Sequence, residues 1–230
     1  MSNKTVAFVL YPGLTPLDLI GPLQVMSGLE AVEEAMGSPD RHHVVVVAER
    51  LDAFPTDTPV RIAASTTIHD IPAPDVILVP GGGAPTLRQL ANPVLLDYLR
   101  EVDRNAEVVA SVCTGSLLLA GAGLLQGRPA TTRWAYRGFL DRLGARYVAE
   151  RWVEDGRYLT GAGVSAGIDT ALRLASRLAS DEMSRLVQLA IEYDPRPPLG
   201  GIDWSAVDRD EGFAKEALGD NPRMLARLLG

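Results

Sequence analysis

The chain has 230 residues, 47% apolar and 22% charged, with 22 Lys and Arg against 29 Asp and Glu. That is enough for one large domain, or one domain with an appendage; the net charge of -7 excludes the basic footprint of a nucleic-acid binder and opposes attachment to an anionic membrane surface. The first apolar run is too short for a signal-peptide core and none approaches a membrane span, while the single cysteine rules out an intrachain disulfide and a cysteine-rich zinc site, so the chain reads as a reduced, cytoplasmic protein.

Val6–Tyr11 is a continuous apolar run with β-branched residues, which predicts a buried parallel strand broken by Pro12-Gly13. Thr15-Pro16-Leu17-Asp18 combines an N-cap residue, a proline at the first helical position and an acid in the first turn. It predicts a helix running to about Met36. His43–Ala48 predicts a second buried strand, Asp52–Pro59 a loop, and Val60–His69 short strands of a small edge sheet. Asp75–Pro80 predicts another buried strand, closed by Gly81-Gly82-Gly83. Ala84–Ala91 and Pro93–Asn105 read as helices, Val108–Cys113 as a strand and Gly115–Leu124 as a helix. Farther on, Ala135–Leu143 reads as helix and Ala145–Ala149 as strand. Arg151–Glu154 and Arg157–Thr160 flank Asp155-Gly156, a hairpin signal. Ser165–Leu178 and Asp181–Tyr193 read as helices, and Met224–Leu229 as a last short one. Strands alternating with helices imply an α/β fold with a mostly parallel central sheet and helices on both faces. Residues 1–198 form its core, and residues 199–230 an extension packed on that core or on a dimer partner.

In such sheets ligands bind at the carboxyl ends of the strands. Three chemically distinct parts fall there. Cys113 stands at a strand-to-helix corner, where its sulfur is expected near the positive end of the next helix and partly ionised; the bland alternative is a buried structural cysteine. Asp18 offers a carboxyl for proton transfer, or simply complements the helix dipole. Gly81–Gly83 offers backbone N–H groups suited to an oxyanion hole, or only a tight turn. Gly81-Gly-Gly-Ala-Pro-Thr lacks the third glycine of a dinucleotide fingerprint, and no Walker pattern occurs. A cysteine nucleophile usually takes a histidine base. The histidines here are His42, His43 and His69, the first two at the start of a strand and the third in the expected edge sheet. None follows Cys113. A cysteine–histidine hydrolase is therefore disfavoured, and Asp18 becomes the candidate proton carrier.

Ser111-Val-Cys-Thr-Gly-Ser116 with Ala122-Gly-Leu-Leu-Gln-Gly-Arg-Pro-Ala-Thr-Thr132 resembles the ThiJ/PfpI superfamily, related to class I glutamine amidotransferases. So do Tyr11-Pro-Gly, Leu17-Asp-Leu-Ile-Gly-Pro22, Val79-Pro-Gly-Gly-Gly83 and Thr160-Gly-Ala-Gly-Val-Ser-Ala-Gly-Ile-Asp169. The resemblance implies a flavodoxin-like sandwich with a cysteine nucleophile elbow, and commonly a homodimer. Within the superfamily the chain is similar to the isocyanide hydratases, lyases that add water to an isocyanide to give an N-substituted formamide. That implies Cys113 as nucleophile, Asp18 as general acid/base and Thr114 as the neighbour that orients the site. It also implies Gly82 and Gly83 as backbone donors, Gly163 and Val164 as pocket lining, and no metal or organic cofactor. Many relatives carry histidine after the Thr-Thr pair; Arg133 stands there in this chain. The competing expectations are a small-molecule-sensing domain, of the kind fused to a helix-turn-helix module in AraC-type regulators, and a redox or stress-response protein. The segment after Pro198 is too short for such a module. A cysteine amidase or peptidase would need a histidine from elsewhere.

Overall fold

Buried runs set the strands through Val6–Val9, Val76–Val79 and Val108–Val112, as expected, whereas the strand expected to be buried over His43–Ala48 has His43 exposed and Val44–Val46 half-buried. A computed structural model describes residues 3–204; the helix expected over Met224–Leu229 and most of the extension expected from residue 199 lie outside the described residues. The chain begins with β1 (Asn3–Val9), α1 (Pro16–Ala35) and β2 (Arg41–Ala48), followed by the short β3 (Phe54–Pro55), β4 (Arg61–Ile62) and β5 (Thr66–Thr67). Next come β6 (Val76–Val79), α2 (Ala84–Arg88), α3 (Pro93–Asp103), β7 (Val108–Val112) and α4 (Gly115–Gly121). The last third holds β8 (Pro129–Ala130), α5 (Arg137–Arg142), β9 (Arg146–Tyr147), β10 (Trp152–Asp155), β11 (Tyr158–Gly161), α6 (Ala166–Leu178) and α7 (Asp181–Ala190).

The central sheet has seven strands in the order β10-β11-β7-β6-β1-β2-β5. All neighbours are parallel except β10 and β11, the hairpin that Asp155-Gly156 predicts. Every residue of β6 and β7 is buried, so helices must cover both faces. α1, α6 and α7 pack on one another, and α2, α3 and α5 each pack on α4. Small residues let α1 and α6 approach: a Cβ on Gly167 would lie 3.1 Å from Pro22 Cγ, and one on Gly21 3.1 Å from Ile168 Cγ1.

The departures from the sequence reading are short elements. The expected edge sheet divides: β5 extends the main sheet beside β2, while β4 pairs antiparallel with β3, inside the stretch read as a loop. The strand expected over Ala145–Ala149 shrinks to β9 and pairs with β8, apart from the main sheet. Two-residue ladders leave no alternation to detect. The helix expected over Ala135–Leu143 is a 3-10 turn, Trp134–Tyr136, followed by α5, and Gln89–Ala91 is likewise a 3-10 turn. Thr15 occupies the N-cap of α1, but its side chain makes no cap bond and donates instead to Asp57. Asn92 and Ser180 do cap, accepting from the Leu95 and Met183 amides. No helix among the described residues is long and apolar enough to cross a membrane.

Candidate active site

Sheet order places the three suspected parts side by side. β1, β6 and β7 are consecutive strands, so the loops leaving them share one edge. Hydrogen bonds stitch those loops together. The Thr15 amide donates to the Gly81 carbonyl at 2.9 Å, joining the start of α1 to the glycine loop. Thr114 Oγ1 donates to the Gly82 carbonyl and accepts from the Gly82 amide, both at 2.8 Å, joining that loop to the Cys113 corner. Thr114, named as the residue that orients the site, is held by both bonds to the glycine loop. The Gly82 N–H, expected to face a substrate, is committed to Thr114. Gly83 is half-buried at the N-cap of α2.

Cys113 sits between β7 and α4 with φ +57°. A non-glycine residue in the left-handed region is strained by roughly 1–2 kcal/mol and persists only where its surroundings over-determine it. Its amide donates to Gly161 and Ala162 carbonyls at 3.0 and 3.1 Å. Its carbonyl accepts from Thr132 Oγ1 at 3.0 Å and Ser116 Oγ at 3.1 Å. Two glycines make room for the corner. A Cβ on Gly115 would lie 2.0 Å from the Val79 carbonyl oxygen, and one on Gly81 2.4 Å from the Thr114 amide and 2.9 Å from Cys113 Cβ. Gly115→Ala and Gly81→Ala must therefore displace backbone. Each is expected to cost about 3 kcal/mol or more, read as a lowered midpoint in urea unfolding; a midpoint unchanged in both would show that the corner tolerates far more movement than its contacts imply.

Asp18, Cys113 and Thr114 are fully buried. Burial raises the Asp18 pKa to about 7, against the pull of the Cys113 side chain, the Gly81 amide and Arg133. Neither carboxyl oxygen has a partner of full hydrogen-bond geometry; the neighbouring thiol and amide act on it without closing a bond. Burial also drives the Cys113 thiol well above its usual range, and the charge of Asp18 adds to this, while the Thr114 amide and Arg133 oppose it. The expected partly ionised thiol is thereby corrected. Desolvation of the buried sulfur outweighs what the amides at the start of the seven-residue α4 supply.

The structure assembles more around this pair than the motifs named. The Tyr11 hydroxyl donates to the Pro80 carbonyl at 2.6 Å and lies 3.2 Å from Thr86 Oγ1, bracing the strand end that leads into the glycine loop. Burial raises the Tyr11 pKa, and the charges of Asp18 and Cys113 add to it. Arg133 lies against Gly163, where an added Cβ would be 3.0 Å from Arg133 Cγ. Val164 is half-buried and packs on the core. The histidines are elsewhere. His42 is buried with Nδ1 2.6 Å from Glu33 Oε1, and His43 is a surface residue paired with Glu30. Tyr11 ends an apolar strand beside Pro12-Gly13, a signal of site proximity, whereas nothing in the sequence pairs Glu33 with His42. Among the described residues, no group of three or more His, Cys, Asp and Glu is placed to hold a metal ion.

A mostly parallel sheet with a cysteine at the corner after β7 and a buried acid in the first turn of the helix after β1, two strands away, defines the class. The chain belongs to the DJ-1/PfpI family, whose profile matches residues 4–177. It is 43% identical to the isonitrile hydratase of Pseudomonas putida over 195 residues, 84% of this chain and 80% of that one. It is 35% identical over 130 residues to the HTH-type transcriptional regulator CdhR of Pseudomonas aeruginosa, 56% of this chain but only 36% of the regulator. Among solved structures, a ThiJ/PfpI family protein from Pseudomonas syringae superposes with a TM-score of 0.80 at 30% identity, covering 100% of this chain and 92% of that one.

Proposed function

We propose that the protein hydrates an isocyanide to an N-substituted formamide, with Cys113 as nucleophile and Asp18 as proton carrier. The observation that carries this reading is the buried Cys113–Asp18 pair, with no histidine beside it, in a chain 43% identical to an isonitrile hydratase. Asp18 near neutrality is ionised often enough to accept the thiol proton and acidic enough to return it. Taking that proton also removes the charge that opposes ionisation of the sulfur. The thiolate then attacks the terminal isocyanide carbon, forming the C–S bond, and Asp18 delivers the proton to the same carbon to give a thioimidate. Water adds to that carbon and the imine nitrogen gains a proton. As the C–S bond breaks, the hydroxyl proton returns to sulfur through Asp18, the formamide leaves, and the thiol is restored. The Thr114 amide, which already favours negative charge on sulfur, stabilises the thiolate at both ends of the cycle. The fully buried, un-ionised thiol argues against the redox-sensor reading, since oxidation follows thiolate character and exposure.

The test is incubation with a simple aryl isocyanide and detection of the formamide. A folded protein that binds the compound and yields none overturns the reading in favour of a sensing domain. Because Asp18 must be ionised to take the proton, kcat/KM is expected to fall about tenfold per pH unit below about 7. A pH-rate profile with its acidic limb in the ordinary carboxylate range would remove Asp18 from the proton path.

A further inference from the structure

Building on the hydration reading, we infer that Arg133 is a positioning residue that holds the negative charge passing between Asp18 and Cys113. Three contacts place it. Thr132, its chain neighbour, donates to the Cys113 carbonyl at 3.0 Å, which pins residue 133 beside the corner. Its stem runs along Gly163, where an added Cβ would be 3.0 Å from Cγ and 3.2 Å from Cβ; Gly163 lacks a side chain where the arginine stem needs the space. Its guanidinium carbon lies 5.9 Å from the Tyr136 ring centroid, on a buried aromatic face.

Asp18 feels Cys113, Asp57 and Arg133, and Cys113 feels Asp18 and Arg133. Tyr11 and Tyr136 border the same charges. Of these groups, Arg133 is the cation acting on both members. That shared action matters because thiol with carboxylate, and thiolate with carboxylic acid, carry the same net charge. The proton transfer between them leaves Arg133 facing one negative charge throughout. What a cation there changes is the pH at which the pair first becomes anionic. A guanidinium supplies that charge at every working pH, whereas a histidine in its place would lose it near neutrality.

The single cysteine makes alkylation by iodoacetamide a readout of Cys113 alone, independent of isocyanide turnover. In Arg133→Met, the acidic limbs of alkylation and of formamide formation are both expected to move up about one pH unit, which lowers the alkylation rate about fivefold at pH 7 and about tenfold well below it. Arg133→Lys should recover the alkylation rate to within about threefold of wild type. Should Arg133→Met fail to fold, Arg133→Gln keeps the stem along Gly163 and gives the same reading. Limbs that stay in place in a folded neutral variant, or a lysine variant indistinguishable from methionine, overturn the charge-holding role. A shifted alkylation limb with no formamide from any form, wild type included, supports the role of Arg133 and sinks the hydration reading instead.

Discussion

Cys113→Ala is expected to abolish formamide formation, lowering kcat/KM by at least about a thousandfold, while the protein still folds. A group that forms the covalent intermediate leaves little behind when removed. The buried pair sharpens the expectation: without sulfur, Asp18 would have to activate water directly against a carbon that no protein atom holds. Alanine keeps Cβ, so the strain of φ +57° is common to both forms. The four hydrogen bonds holding the corner use backbone atoms of residue 113 and survive the change. Stability should therefore stay within about 1–2 kcal/mol of wild type, the loss expected for a small side chain in a buried site. The measurement is product formation from an aryl isocyanide, alongside urea unfolding of the same preparation. Substantial turnover in folded Cys113→Ala would exclude a thioimidate and leave general-base hydration by Asp18. Cys113→Ser should be nearly as inactive, since a hydroxyl in a site that already keeps a thiol un-ionised is a far weaker nucleophile.

Much of this site was legible because strand ends carry their own punctuation. Val76–Val79 and Val108–Val112 are buried on both faces, and the glycine loop and Cys113 follow them directly, so the parallel-sheet rule alone brought them to one edge. What periodicity could not supply was depth. Nothing in Ser111-Val-Cys-Thr says that the residue is buried, and that burial reverses the expected direction of its pKa. Nor does spacing reveal that the Gly82 amide is taken by Thr114, because both residues look like ordinary loop residues until the loops meet. Arg133 was visible as a departure from the family pattern. Its position became readable only when Gly163, distant in sequence, was seen to lie along its stem. The Glu33–His42 pair escaped for a related reason: a polar contact between a helix and a strand leaves no period in either.

Asp18→Asn separates function from stability. The amide cannot carry a proton between sulfur and carbon, so kcat/KM should fall by about 10²–10⁴, the range of a lost general acid/base. Stability should move the other way. The folded-state pKa of Asp18, about 7, stands above the ordinary value of 3.8. Between those values the folded chain holds a proton that the unfolded chain releases. The stability this group contributes is thus fully present below about pH 4 and is lost as pH rises through about 7. A shift of that size corresponds to roughly 4 kcal/mol at most, and the pull of Arg133 and of the Gly81 amide is already counted within it. Asparagine stays neutral at every pH and escapes the loss. Urea unfolding near pH 8 should then find Asp18→Asn more stable than wild type by up to a few kcal/mol, with the gap closing near pH 4. No carboxyl oxygen is in a hydrogen bond of full geometry, so the substitution gives up only the weaker pull of the Cys113 thiol and the Gly81 amide. An inactive variant with no alkaline stability gain would mean that Asp18 is solvated in the folded protein, and the acidic limb of the rate profile would have to come from another group. A stability gain with activity retained would make the buried acid a structural fault rather than the proton carrier. Only the combination of lost turnover and pH-dependent stabilisation fits an acid kept in an unfavourable place for its chemistry.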